Sequence, residues 1–155
     1  MKLSPPLALC LMAILMVSCD NNTSETPVQP RRNPLVGTWK LISATLVEKG
    51  DTTTTDYTKE RSFIKIINET HFAFLNHDLN RDSTAVFGAG GGTYSLSDST
   101  YTEHLEYCNA RNWEGNDFTF NVVITGDTLV QSGVEKIESE GIERMNSEKY
   151  VRLNP

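Results

Sequence analysis

Long apolar runs are missing from this sequence. The longest, residues 7–17, has eleven residues, against the roughly 20 that a membrane-spanning helix needs. Basic charge is scarce: 14 Lys and Arg stand against 20 Asp and Glu, a formal charge of −6. With no basic stripe, the chain is not expected to bind nucleic acid. Histidine is limited to His71, His77 and His104, which favours solvated surface positions over metal ligands. No G-x-S-x-G elbow is present, and no Gly-Lys-Ser/Thr follows the glycines at 88 and 90–92, so neither a serine hydrolase nor a phosphate loop is indicated. No cofactor is implied, and an enzyme is the least supported class.

What is present begins at the N-terminus. Met1 and Lys2 precede the apolar run, which ends in Met16-Val17-Ser18-Cys19. A charged start, a short apolar segment and a small residue before the break make a signal peptide over residues 1–18. The last four residues resemble a lipobox, the processing signal of bacterial lipoproteins. That resemblance implies lipidation of Cys19 and partnership with a membrane through acyl chains, each worth about 0.8 kcal/mol per buried methylene. The expected location is the bacterial envelope, on the outer membrane facing the periplasm or the cell surface. Residues 19–34 carry Pro27, Pro30 and Pro34 among polar residues and read as a disordered tether. With Cys10 removed and Cys19 acylated, Cys108 stands alone and no intrachain disulfide is expected.

The remainder, residues 35–155, is long enough for one domain with one core. Its pattern is strand-like almost throughout. Strands are expected over 38–47, 61–67, 71–75, 85–87, 93–96, 101–108, 118–125, 128–131 and 149–153, several joined by hairpin turns. Phe118, Phe120, Val122 and Ile124 alternate onto one face. Residues 48–60, with Gly50 and four consecutive threonines, read as a long loop. Residues 134–145 space Val134, Ile137, Ile142 and Met145 like a helix, yet Gly141 and four glutamates weaken it, so a short helix and a loose hairpin both stay open. About eight short strands suggest an antiparallel meander closed on itself, since closure removes exposed edges.

Two ends of this domain resemble lipocalins and related calycin barrels. Gly37-Thr38-Trp39 is similar to their G-x-W opening, and Arg152 in Tyr150-Val151-Arg152-Leu153 to their last-strand arginine. The resemblance implies an all-β, eight-stranded, up-and-down antiparallel barrel in which Trp39 plugs the closed end under Arg152, beside Gly37. The segments 91–96, 101–107 and 124–129 are similar to lipocalin-like bacterial lipoproteins of unknown function. One departure is that Thr55-Asp56-Tyr57 lies in the first long loop, whereas the T-D-Y motif of classical lipocalins lies late in the barrel.

Candidate chemistry centres on residues 101–108. Alternation places Tyr101, Glu103, Leu105 and Tyr107 on one face. Pointing inward, Glu103 must be paired or protonated, either anchoring a ligand's polar group or joining a structural network with an internal Arg, Lys or Tyr. The expected lining is Tyr94, Tyr101, Glu103, Tyr107 and Phe120 around a small, largely apolar ligand, with the 48–60 loop over the mouth. The alternative is a protein or glycan interaction module whose barrel its own side chains fill. His104 and Glu106 are only two potential metal ligands, short of a zinc site. Asp78, Asn80 and Asp82 imitate the start of a calcium loop, but Ser83 and Ala89 stand where Gly and a bidentate Glu are needed. The glycines suggest flexibility or a bulge at a barrel rim.

Overall fold

The computed structural model describes residues 33–154. The expected signal peptide, Cys19 and the expected tether up to residue 32 lie outside the described residues. The strands are β1 (Gly37–Glu48), β2 (Asp51–Asp56), β3 (Arg61–Ile67), β4 (His71–Asp78), β5 (Phe87–Ser97), β6 (Thr100–Cys108), β7 (Asp117–Thr125), β8 (Thr128–Ile137) and β9 (Ile142–Leu153). Successive strands from β3 onward pair antiparallel, and β9 returns to β1, closing the sheet. β2 and β3 lie end to end along one edge of β1, opposite residues 43–48 and 37–40. Together they form one broken stave, so the nine strands build the all-β, eight-staved barrel that the sequence leads one to expect.

Three segments differ from expectation. The 48–60 loop contains β2, a two-residue hairpin with β1 through Lys49 and Gly50, both at positive φ (51° and 90°), as such turns require. All six β2 residues are exposed. Threonine favours strands, but with nothing apolar to bury the segment shows no alternation. The glycine cluster does not interrupt a strand, because β5 runs through it. Residues 134–145 are the β8–β9 hairpin, turned by a 3₁₀ segment at Glu138–Glu140 and by Gly141 in the left-handed region. Val134 and Met145 point outward, 47% and 44% exposed, while Glu135 and Arg144, paired in register, face in. The helical spacing of the apolar residues is incidental.

Two bulges decide which side chains point inward. In β1 the register slips between Leu41 and Ser43, so Trp39 and Leu41 face in below the slip and Ala44 above it. In β6, Gly92 pairs with Leu105 and Gly91 with Tyr107, leaving Glu106 as the extra residue. A Cβ on Gly92 would overlap the His104 carbonyl oxygen, so the strands approach this closely only because the position is glycine.

One end of the barrel is sealed. Trp39 is fully buried, and its Nε1 donates to the Leu35 carbonyl at 2.7 Å. The Arg152 guanidinium lies 4.0 Å from the Trp39 ring centroid and donates to the Val36 and Pro34 carbonyls at 2.8 and 2.7 Å. Gly37, at φ 146°, leaves the space that a Cβ would take from Arg152 Nη1. Asn33 and Pro34 therefore already belong to the folded unit, Asn33 by donating to the Tyr94 hydroxyl at 2.7 Å. Leu35, Ile67, Phe72, Tyr101, Leu129 and Tyr150 pack between this seal and the middle of the barrel.

Candidate functional site

Above that packed half, at the end where the β1–β2 hairpin projects, the barrel holds a cavity of about 240 Å³. Its walls are aromatic: Tyr57, Phe63, Phe74, Trp113, Phe118 and Phe120 line it. Phe63 and Phe74 stack with centroids 5.7 Å apart, and Tyr57 meets Phe63 edge-on at 5.9 Å. Across the mouth, Trp113 comes from the 3₁₀ turn Arg111–Trp113, packs on Phe118 at 5.7 Å and lies under the Arg144 guanidinium at 5.1 Å.

The floor is polar. Lys65, projecting from β3 on the face of Phe63 and Ile67, is 3% exposed. Its Nζ donates to Glu103 Oε1 at 2.7 Å and to Gln131 Oε1 at 3.1 Å, and Glu148 Oε2 lies 4.0 Å away. Burial pulls the Lys65 ammonium toward neutrality, but Glu103 and Glu148 more than offset it, so its pKa is raised and the ammonium stays charged. Burial pushes the Glu148 carboxyl up, against the opposing pull of Lys65 and of Tyr150, whose hydroxyl donates to Glu148 Oε2 at 2.8 Å. Nearer the mouth, Glu135 accepts from Arg144 Nε and Asn146 Nδ2, both at 2.7 Å. Asn146 is 5% exposed, and its Oδ1 is buried with no hydrogen-bond partner.

Of the residues expected to line the interior, Glu103 and Phe120 do so. The other three do not line the cavity. Tyr107 is 67% exposed on the outer surface, because the extra residue Glu106 reverses the alternation and turns Cys108 inward in its place. Tyr101 faces inward but is sealed beneath the cavity, fully buried. Burial, reinforced by the Glu103 charge, holds its hydroxyl protonated. Tyr94 sits near Asn33 and donates from its hydroxyl to the Asn68 carbonyl at 2.7 Å. Glu103 has the internal lysine partner that a structural network demands.

Lys65, Gln131, Glu148, Asn146, Glu135 and Arg144 escaped the sequence reading. Their signal was parity. Counting back by twos from the inward Arg152 gives Tyr150, Glu148, Asn146 and Arg144, and Lys65 interrupts the apolar run over residues 63–67.

The remaining candidates are ordinary surface. His104 bonds Asp117 at 2.5 Å, whereas Glu106 accepts from Thr93 at 2.9 Å, so the two do not converge. Asp78 and Asp82 accept backbone amides of Asn80 and Thr84 at 3.0 and 2.9 Å, closing local turns. Among the described residues, no three His, Cys, Asp or Glu side chains cluster as metal ligands.

No curated protein matches the chain. Among solved structures it is similar to a lipocalin-like protein from Bacteroides uniformis, with TM-score 0.46 and 19% identity, covering 77% of this chain and 98% of that one. An uncharacterized protein from Bacteroides eggerthii matches with TM-score 0.45 and 16% identity, over 76% of this chain and 98% of that one. A mutant of the fluorescent protein UnaG matches with TM-score 0.38 and 11% identity, over 78% and 97%. Residues 34–155 match the family model described as a domain of unknown function, DUF4488, and the chain belongs to that family.

Proposed function

We propose that this protein binds a small molecule in the mouth cavity of its barrel and is held at the bacterial envelope by a lipid on Cys19. The observation that carries the binding reading is the contrast between the two halves of the interior. The sealed half is packed solid with apolar side chains, whereas the open half keeps about 240 Å³ free between aromatic walls and a charged floor. Desolvated polar groups cost free energy unless they are satisfied. A cavity that retains them, with Asn146 Oδ1 accepting nothing, suits an occupant that completes the hydrogen bonding. This favours a carrier over an interaction module with a filled barrel.

The volume corresponds to about eight waters at roughly 30 Å³ each, below the roughly 300 Å³ at which drug-sized sites begin. The ligand is therefore a compact one, on the scale of one ring with a short side chain. Its apolar body lies among Phe63, Phe74 and Trp113, and its polar end meets the floor at Glu103 and Glu148. Lipid attachment rests on the sequence 16–19 alone; outer-membrane placement is part of the same proposal.

Native mass spectrometry of the whole chain, extracted gently from its own host and then denatured, tests the binding. A stoichiometric small-molecule adduct released on unfolding is expected. A bare mass, together with a fragment screen that perturbs no cavity residue, would overturn the reading.

A further inference from the structure

The cavity holds more negative than positive groups. Three carboxylates line it, Glu103, Glu135 and Glu148, against two cations, Lys65 and Arg144. The pairings account for two of the three. Lys65 is bonded to Glu103 at 2.7 Å, and Arg144 to Glu135 at 2.7 Å. Glu148 is left over, with a tyrosine hydroxyl at 2.8 Å and the shared Lys65 at 4.0 Å. Two residues along the same face of β9, the unpaired Asn146 Oδ1 adds a second acceptor, nine-tenths buried. Phe63, Phe74 and Trp113 line the same cavity, and aromatic rings attract cations. A cation would complete the pairing of the surplus carboxylate, whereas an anion would add to the negative charge.

We propose that the natural occupant is a cation, an amine or amidine whose charged end is held by Glu148 and Asn146 while its apolar body lies against Phe63, Phe74 and Trp113. This rests on the reading that the cavity binds a small molecule and adds the ligand's charge class to it. A proton accounts for the empty state. Glu148 faces Lys65 of β3, Glu103 and Tyr101 of β6, Glu135 and Gln131 of β8, Tyr150 on its own strand, and Tyr57 before β3. Burial raises its carboxyl, so the unliganded cavity holds a proton on Glu148 more readily than water holds one on an exposed glutamate. Binding of an ammonium ion converts it to carboxylate, and the released proton passes to the buffer. Affinity for a cation therefore rises with pH through the raised Glu148 titration, until the amine itself deprotonates.

The test is calorimetric titration of the whole chain with three probes of one shape: 2-phenylethylammonium, 2-phenylethanol and 3-phenylpropionate. A charge-assisted hydrogen bond predicts that the ammonium binds at least about tenfold more tightly than the other two. Repeating the titration in buffers of different ionisation enthalpy should show proton release by the wild type. Glu148→Gln should abolish that release and cost the ammonium about tenfold, clearly more than it costs the alcohol. The proton measurement needs only wild-type protein, so it stands even if the variant does not fold. Equal or tighter binding of the alcohol or the anion would overturn the charge assignment while keeping the small-molecule reading. Failure of all three probes to bind would also overturn it, and the binding reading would then be decided by the host-derived adduct alone.

Discussion

Replacing Lys65 with methionine removes the ammonium that Glu103, Gln131 and Glu148 share, at nearly constant volume. Lys65 and the Glu103 side chain are 3% and 9% exposed, so water does not take over the lost interaction. Removing one partner of a buried pair costs about 3–5 kcal/mol, because the other charge stays behind unpaired. For a domain of this size that lowers Tm by roughly 10–20 °C. Glu103→Gln should cost less, since Lys65 keeps Glu148 at 4.0 Å and the amide can still accept. Joining the two substitutions should recover part of the loss, giving a coupling of about 1–3 kcal/mol. In Lys65→Met the Glu148 carboxyl, already raised by burial, also loses the downward pull of Lys65. Its contribution is therefore full below the unfolded pKa and lost as pH rises through the folded one, so the variant should lie closer to wild type at pH 5 than at pH 8. Thermal and urea denaturation followed by circular dichroism at both pH values reads all of this. A Lys65→Met loss below about 1 kcal/mol, or a penalty that shrinks with rising pH, would refute a buried, charged floor.

Glu148→Gln in the unliganded protein should flatten the dependence of Tm on pH above the usual carboxylate range, because the wild-type group, raised by burial, loses its contribution as it ionises there. Arg152→Ala removes two hydrogen bonds and the stack on Trp39 and should cost about 2–3 kcal/mol in urea unfolding. Gly92→Val should cost at least about 2 kcal/mol, since its side chain overlaps the His104 carbonyl and forces the β5–β6 bulge apart; denaturation midpoints give the comparison. Cys19→Ser should move the protein from the membrane fraction to the soluble fraction and abolish acyl labelling.

The closed barrel was legible because alternation and turn chemistry agree. Phe118, Phe120 and Val122 face in, the β7–β8 turn falls on Gly126-Asp127 with Gly126 at φ 56°, and the two termini carry complementary residues at Trp39 and Arg152. What alternation cannot supply is a change of phase. A single extra residue at Glu106 turned Tyr107 outward and Cys108 inward, and no residue type in that stretch announces a slip. Its enabling glycine lies on the neighbouring strand. β2 was hidden for a different reason: with six exposed residues it carries no burial pattern at all. Within the site, Glu103 was recognisable as an inward carboxylate, but its partner lies 38 residues away. That pairing depends on barrel geometry, which brings β3 and β6 to face each other across the interior. Glu148 and Asn146 follow from the parity of Arg152 only once the β9 strand is known to extend back to Ile142.

The two tryptophans offer the most direct check on the binding cavity. Trp113 lines its mouth, and Trp39 is sealed at the opposite end. Proton–nitrogen NMR of the labelled protein, titrated with a small-molecule extract of its own host, follows both indole signals at once. Binding in the mouth cavity should shift the Trp113 indole saturably while the Trp39 indole stays fixed. Saturable shifts confined to outward residues such as Tyr107, with Trp113 unmoved, would contradict it.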